Sequence, residues 1–231
     1  MSRPGITAAG SDPRGVLVQI AILLFPRLTA LDVVGPYEVL SRVPGAEVVF
    51  VGEQLGPVRT ETGRLALTVD AVISDVPRPD VVVVPGGPGQ TDHMADGPVQ
   101  EWLRAVDATS TWTTSVCTGS LILGALGLLT GRRATTHWLA VDQLAAFGAV
   151  PVSERVVTDG KYVTAAGVSS GIDMALTLVG QLAGDVVAQA VQLGIEYDPQ
   201  APYDAGSPGR APAEVVALLR EMRSLVLTGK P

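Results

Sequence analysis

Short aliphatic and β-branched runs, set apart by segments of helical length, constrain this chain more than any other feature. The runs are VLVQIAILL (16–24), AEVVFVG (46–52), DVVVV (80–84), TWTTSV (111–116) and KYVTAA (161–166). A strand with one face in water alternates apolar and polar side chains, whereas a strand covered on both faces loses that alternation. Between the runs lie helical segments at 29–42, 98–109, 119–129, 137–147 and 170–184. Covered strands alternating with helices predict an α/β fold: a flavodoxin-like three-layer sandwich with a mainly parallel central sheet. The stretch VRTETGRLALTVDAVI (58–73) departs from the pattern. It is Thr- and Val-rich, alternates, and breaks at Gly63, which predicts extended pieces inserted ahead of the 80–84 strand. AEVVALLREMRSLVL (213–227) has helical periodicity, and MSRPGITAAGSDPRG (1–15) has none. Residues 1–15 are therefore expected to be a disordered lead-in and residues 16–231 a single domain.

Charge narrows the partners. The chain has 16 Lys and Arg against 23 Asp and Glu, a net charge of −7, and no dense basic run. Nucleic acid and anionic membrane both reward a basic patch, so neither is expected as a partner, and a small-molecule substrate is. VLVQIAILLF (16–25) follows Arg3 and Arg14 and could pass for the core of a signal peptide. It runs into PRLTALD rather than a small-residue cleavage site, and suits a covered strand of a cytoplasmic protein. The apolar run Leu121–Leu129 is too short to span a bilayer. Cys117 is the only cysteine, so no intramolecular disulfide can form, as fits a reducing compartment.

Two stretches have the strand, sharp turn and helix of a nucleophile elbow. In TWTTSV-CTG-SLILGALGLL the turn carries Cys117, with Gly119 close behind. In KYVTAA-GVSSG-IDMALTLVG it carries Ser169 at the centre of a G-x-S-x-G pattern. A catalytic serine at this kind of elbow takes its base from a histidine later in the chain, but His93 and His137 both precede Ser169. GVSSG is better read as a turn whose serines cap a helix. Cys117 would sit at a helix start, where the macrodipole favours the thiolate and predicts a thiol titrating below its free value. A second glycine-rich turn, VVVVPGGPGQ (81–90), follows the neighbouring strand. In an open parallel sheet both turns meet beyond the carboxyl ends of the strands, so amides of Gly87 and Thr118 could face one substrate atom. Asp32, just after the first strand, is either a helix cap or an acid in the same crevice. Glu38, six residues on, reads as a solvated carboxylate. His137 reads as a structural histidine at a helix start. The two histidines have no metal-ligand spacing, and no metal or organic cofactor is expected.

These residues resemble the ThiJ/PfpI family of the class I glutamine amidotransferase-like group. The likeness runs through ALDVVGPYEVLSRVPG (30–45), VVVPGGPG (82–89), SVCTGSLILGALGLLTGRRATTHW (115–138), YVTAAGVSSGIDMAL (162–176) and IEYDPQAPYDAGSP (195–208). The combination of D-x-x-G-P-x-E-V-L with C-T-G-S and T-T-H-W is similar to the branch that hydrates isonitriles. The resemblance implies Cys117 as nucleophile, Asp32 as its acidic partner and Thr118 as a residue shaping the site. It also implies Gly87 in the oxyanion-type turn, Val168 in the loop over the thiol, no cofactor, and a homodimer. Proteases of the family place histidine after the cysteine; here Thr118 stands there, which argues against acyl chemistry of that kind. AraC-type regulators share these motifs but add a DNA-binding module, and only about thirty residues follow Asp198. Other readings left open are a glyoxalase-, amidase- or peptidase-like hydrolase and a small-molecule or redox sensor.

Overall fold

The structure, a computed structural model, describes residues 18–229. The five runs form strands near the expected places: β1 (Val18–Leu23), β2 (Ala46–Gly52), then β6 (Val81–Val84), β7 (Trp112–Val116) and β11 (Tyr162–Ala165). All four residues of β6 and of β11 are buried, as is β1 from Ile20 onward, because helices cover both faces of the sheet. The expected lead-in at 1–15 and the first two residues of the 16–24 run lie outside the described residues.

The 58–73 stretch folds as a hairpin of β3 (Gly56–Arg59) and β4 (Ala66–Val69), with Gly63 in its turn, followed by the short β5 (Ala71–Val72). Three short strands were not legible in the sequence: β8 (Arg133–Ala134), β9 (Val150–Pro151) and β10 (Val156–Asp159). The central sheet has the order β10-β11-β7-β6-β1-β2-β5 and is parallel except for the β10–β11 pair. From β1 the chain moves outward through β2 to β5, then returns to the other side of β1 at β6 and continues to β7 and β11. The reversal between β1 and β6 opens a crevice beyond their carboxyl ends, where open α/β sheets place ligands.

Helices α1 (Ala30–Leu40), α2 (Pro98–Asp107), α3 (Gly119–Ala125), α4 (Val141–Ala146) and α5 (Ser170–Ala183) occupy the expected segments. The expected 119–129 helix stops four residues early, and the 137–147 segment opens with a 3₁₀ turn at Trp138–Ala140 before α4. α6 (Asp185–Gly194) was not foreseen, and the 213–227 helix is broken at Met222 into α7 (Ala213–Glu221) and α8 (Arg223–Thr228). α1 packs on α5, which carries α6, while α3 lies against β6, β7 and α4. The result is the three-layer sandwich with a mainly parallel sheet. No helix among the described residues is long and apolar enough to cross a membrane.

Candidate active site

Four adjacent strands, β1, β6, β7 and β11, deliver their carboxyl ends to one place. After β7 the chain turns sharply at Cys117, whose φ of +56° is rare for a residue with a side chain. The turn is held from both sides. The Cys117 amide donates to the carbonyls of Ala165 and Ala166 (3.1 and 2.9 Å). Its carbonyl accepts from the hydroxyls of Ser120 (3.2 Å) and Thr136 (3.0 Å). Gly119 is required by contact: a Cβ there would lie 2.1 Å from the Val84 carbonyl oxygen. The cysteine elbow is thus built against the end of β6.

The glycine turn after β6 is threaded just as tightly. At Gly87 φ is +122°, and a Cβ would come within 2.4 Å of the Thr29 amide nitrogen. Its two amides serve the two reactive residues in turn. Gly86 N–H donates to Asp32 Oδ2 at 2.8 Å, and Gly87 N–H donates to Thr118 Oγ1 at 3.0 Å. The Gly87 amide, expected from the sequence to be available to a substrate atom, is instead taken up by Thr118. The Thr118 amide and hydroxyl and the amide of Val168, in the loop after β11, favour the charged form of the Cys117 sulfur. Val168 itself holds φ at +35°.

Asp32 lies in the first turn of α1, yet it caps nothing on its own helix. It is fully buried; Oδ2 is held by Gly86, and Oδ1 has no hydrogen-bond partner. Burial pushes its pKa up to about 8, helped by the negative charge of Glu61 and opposed by the Gly86 amide and the nearby thiol. The Cys117 thiol is close enough to affect its titration. Cys117 is itself pushed well above its ordinary value, by burial first and by the Asp32 charge second. The expected depressed thiol is thus overturned. α3 is only two turns long, and the burial of the sulfur outweighs whatever its amides supply.

The sulfur opens onto a cavity of about 210 Å³ lined by Thr29, Glu61, Gly87, Cys117, Thr118, His137, Val168, Val226 and Leu227. Asp32, Cys117, Thr118, Gly87 and Val168 are therefore brought together. His137 starts the 3₁₀ turn with Nδ1 accepting from Leu139 N–H (3.3 Å), the structural role read from sequence, but its ring also lines the cavity. Burial lowers its pKa, so the ring is neutral with its proton on Nε2. Ser169 lies outside this cavity and does not cap α5; its hydroxyl accepts from Arg155 at 3.3 Å, on the wall of a neighbouring cavity of about 470 Å³. Glu38 is exposed and paired with Arg42 one turn on, and His93 sits beside Glu53, away from the thiol. Sequence reading missed Glu61, Thr29, Thr136, Val226 and Leu227. Only Thr136 carried a signal, as part of T-T-H-W.

The profile of the DJ-1/PfpI family matches residues 18–181. The chain is 48% identical to an isonitrile hydratase of Pseudomonas putida over 199 residues, covering 86% of this chain and 87% of that one. It is 32% identical to the HTH-type transcriptional regulator CdhR of Pseudomonas aeruginosa, over 59% of this chain and 40% of the regulator. Among solved structures, a ThiJ/PfpI family protein from Pseudomonas syringae superposes with a TM-score of 0.87 at 37% identity, over 96% of this chain and 95% of that one.

Proposed function

The chain belongs to the DJ-1/PfpI family, and from that premise we propose that it hydrates isonitriles to N-substituted formamides, R–N≡C + H₂O → R–NH–CHO. The observation that carries this reading is the unpaired Oδ1 of a buried Asp32 beside the Cys117 thiol. The terminal carbon of an isonitrile is electrophilic and also holds a lone pair, so it needs a nucleophile and a proton at the same atom. A soft sulfur next to a protonated carboxyl supplies both. The likeness to isonitrile hydratase over most of the chain supports the substrate class.

In the pair that has lost one proton, Asp32 takes the remaining proton from Cys117 as the sulfur adds to the terminal carbon, and the carbon lone pair then takes it from Asp32, giving a thioimidate, R–N=CH–S–Cys. The Asp32 carboxylate then takes a proton from water as its oxygen adds to the same carbon, and that proton passes to nitrogen. The adduct R–NH–CH(OH)–S–Cys collapses: the hydroxyl proton goes to Asp32, the C–S bond breaks, and the formamide leaves with the thiolate restored. No step draws on a metal or organic cofactor. The Thr118 and Val168 amides and the Thr118 hydroxyl stabilise negative charge on the sulfur, and Gly87 acts by orienting that hydroxyl. Donors beside the sulfur suit a thiolate nucleophile. The homodimer implied by the resemblance and the cytoplasmic location expected from the single cysteine belong to the same proposal.

The test is direct. Purified protein is incubated with cyclohexyl isonitrile and the formamide is followed by infrared loss of the N≡C band and by mass. Turnover that vanishes in Cys117→Ala is expected; absence of formamide from every simple alkyl and aryl isonitrile overturns the reading.

A further inference from the structure

We infer that Glu61 makes this site select by charge, admitting neutral or cationic isonitriles and refusing those that carry a carboxylate. The inference rests on the isonitrile reading above and concerns the walls of the thiol cavity. Glu61 sits in the turn between β3 and β4 and lines that cavity. Its backbone amide donates to the Leu28 carbonyl (2.9 Å), and its Oε2 accepts from the Thr29 hydroxyl (3.0 Å), so the carboxylate, though exposed, is anchored to the cavity wall.

Nothing neutralises it. Glu61 has no ion-pair partner among the described residues, and no Lys or Arg lines the cavity. Arg27 pairs with Asp92 (2.9 Å) and donates to the Thr228 carbonyl, Arg59 donates to the carbonyls of Gly63 and Arg64, and Arg64, in the same turn as Glu61, is exposed and does not line the cavity. His137, the remaining basic group on the wall, is held neutral by burial. The charge of Glu61 already reaches the reacting groups, since it is one of the causes that raise Asp32. Val226 and Leu227 of α8 also line the cavity, and their side chains offer an anion no hydrogen bond. α8 lies beyond the residues matched by the family profile.

The test compares isocyanoacetate with its neutral methyl ester in the full-length protein. The ratio of kcat/KM for the two cancels any effect of a variant on the chemical step common to both. Wild type is expected to favour the ester, by a factor that shrinks as salt is added. Glu61→Gln should raise the carboxylate-to-ester ratio about fivefold to tenfold, the size of one partly screened charge interaction in a half-open cavity. Glu61→Lys should raise it further, with the change carried mainly by KM. A ratio that stays within twofold of wild type in both variants overturns the inference while leaving the hydratase reading intact. Wild-type preference for the carboxylate also overturns it. If neither compound nor cyclohexyl isonitrile is hydrated, the hydratase reading fails, and the inference falls with it.

Discussion

At Asp32 the fold keeps a carboxyl group in a place where its charged form is disfavoured, and this has consequences for both stability and rate. The group ionises near 3.8 in the unfolded chain and at about 8 in the native protein. Below pH 4 both states hold the proton. Between pH 4 and 8 only the native state holds it, so rising pH favours the unfolded chain, and stability falls by up to about 1.4 kcal/mol per pH unit. Above pH 8 the contribution of Asp32 levels off. Asp32→Asn removes this titration while keeping the shape and the acceptor for Gly86 N–H. Urea unfolding should therefore find the variant close to wild type at pH 4 and increasingly more stable up to pH 8. The same variant cannot move a proton, and turnover of an isonitrile should drop by about 10²- to 10⁴-fold, the usual weight of general acid–base catalysis. A variant that is less stable and fully active would remove Asp32 from the mechanism. The rate profile follows from the coupled pair. The reactive form has lost one proton from the thiol–carboxyl pair, so kcat/KM should climb as pH rises toward 8. A rate flat from pH 5 to 9 would contradict the raised pair.

At the scale of elements, the site is a set of turns forced together by missing side chains and donated hydrogen bonds. Gly119 is the tightest of these, with the Val84 carbonyl oxygen 2.1 Å from where its Cβ would be. Gly119→Ala must push β6 and the elbow apart, and should cost about 3 kcal/mol in urea unfolding, together with the activity. A stable, active Gly119→Ala protein would mean that the elbow tolerates a displacement this packing forbids. The long elements around it were legible because their residues repeat one environment: β6 is four valines under cover on both faces. The short ones were not. β8 and β9 are two residues each, and β10 exists only because it pairs antiparallel with β11 at the sheet edge. α3 ends early for a similar reason of context: the Leu126 amide closes the last turn on Ile122 and Gly124, and the chain then bends back at Gly127.

For the whole molecule, the site joins parts of the chain nearly two hundred residues apart. α8 is tied to the loop after β1 by Arg27, which donates to the Thr228 carbonyl, and it places Val226 and Leu227 over the cavity of Cys117. Leu227→Ala should cost about 2 kcal/mol, the low end for a buried leucine because one side of it already borders a cavity. It should also speed alkylation of Cys117 by iodoacetamide; an unchanged labelling rate would show that α8 does not limit access to the sulfur. What the sequence determined by itself is the layered α/β fold and the cysteine elbow, because each is written in a local pattern of covered strands, turn glycines and flanking helices; for Asp32 that pattern left a helix cap and a crevice acid equally open. Tertiary structure alone decided the electrostatics and the walls. Whether the thiol titrates low or high depends on how much water the fold removes from it, and 5% exposure beside a buried acid outweighs the short helix behind it. Whether Gly87 faces the substrate depends on a hydrogen bond to a residue 31 positions away. Glu61 and Leu227 became neighbours of Cys117 through the hairpin and the terminal helix, contacts between segments whose local sequences carry no sign of one another.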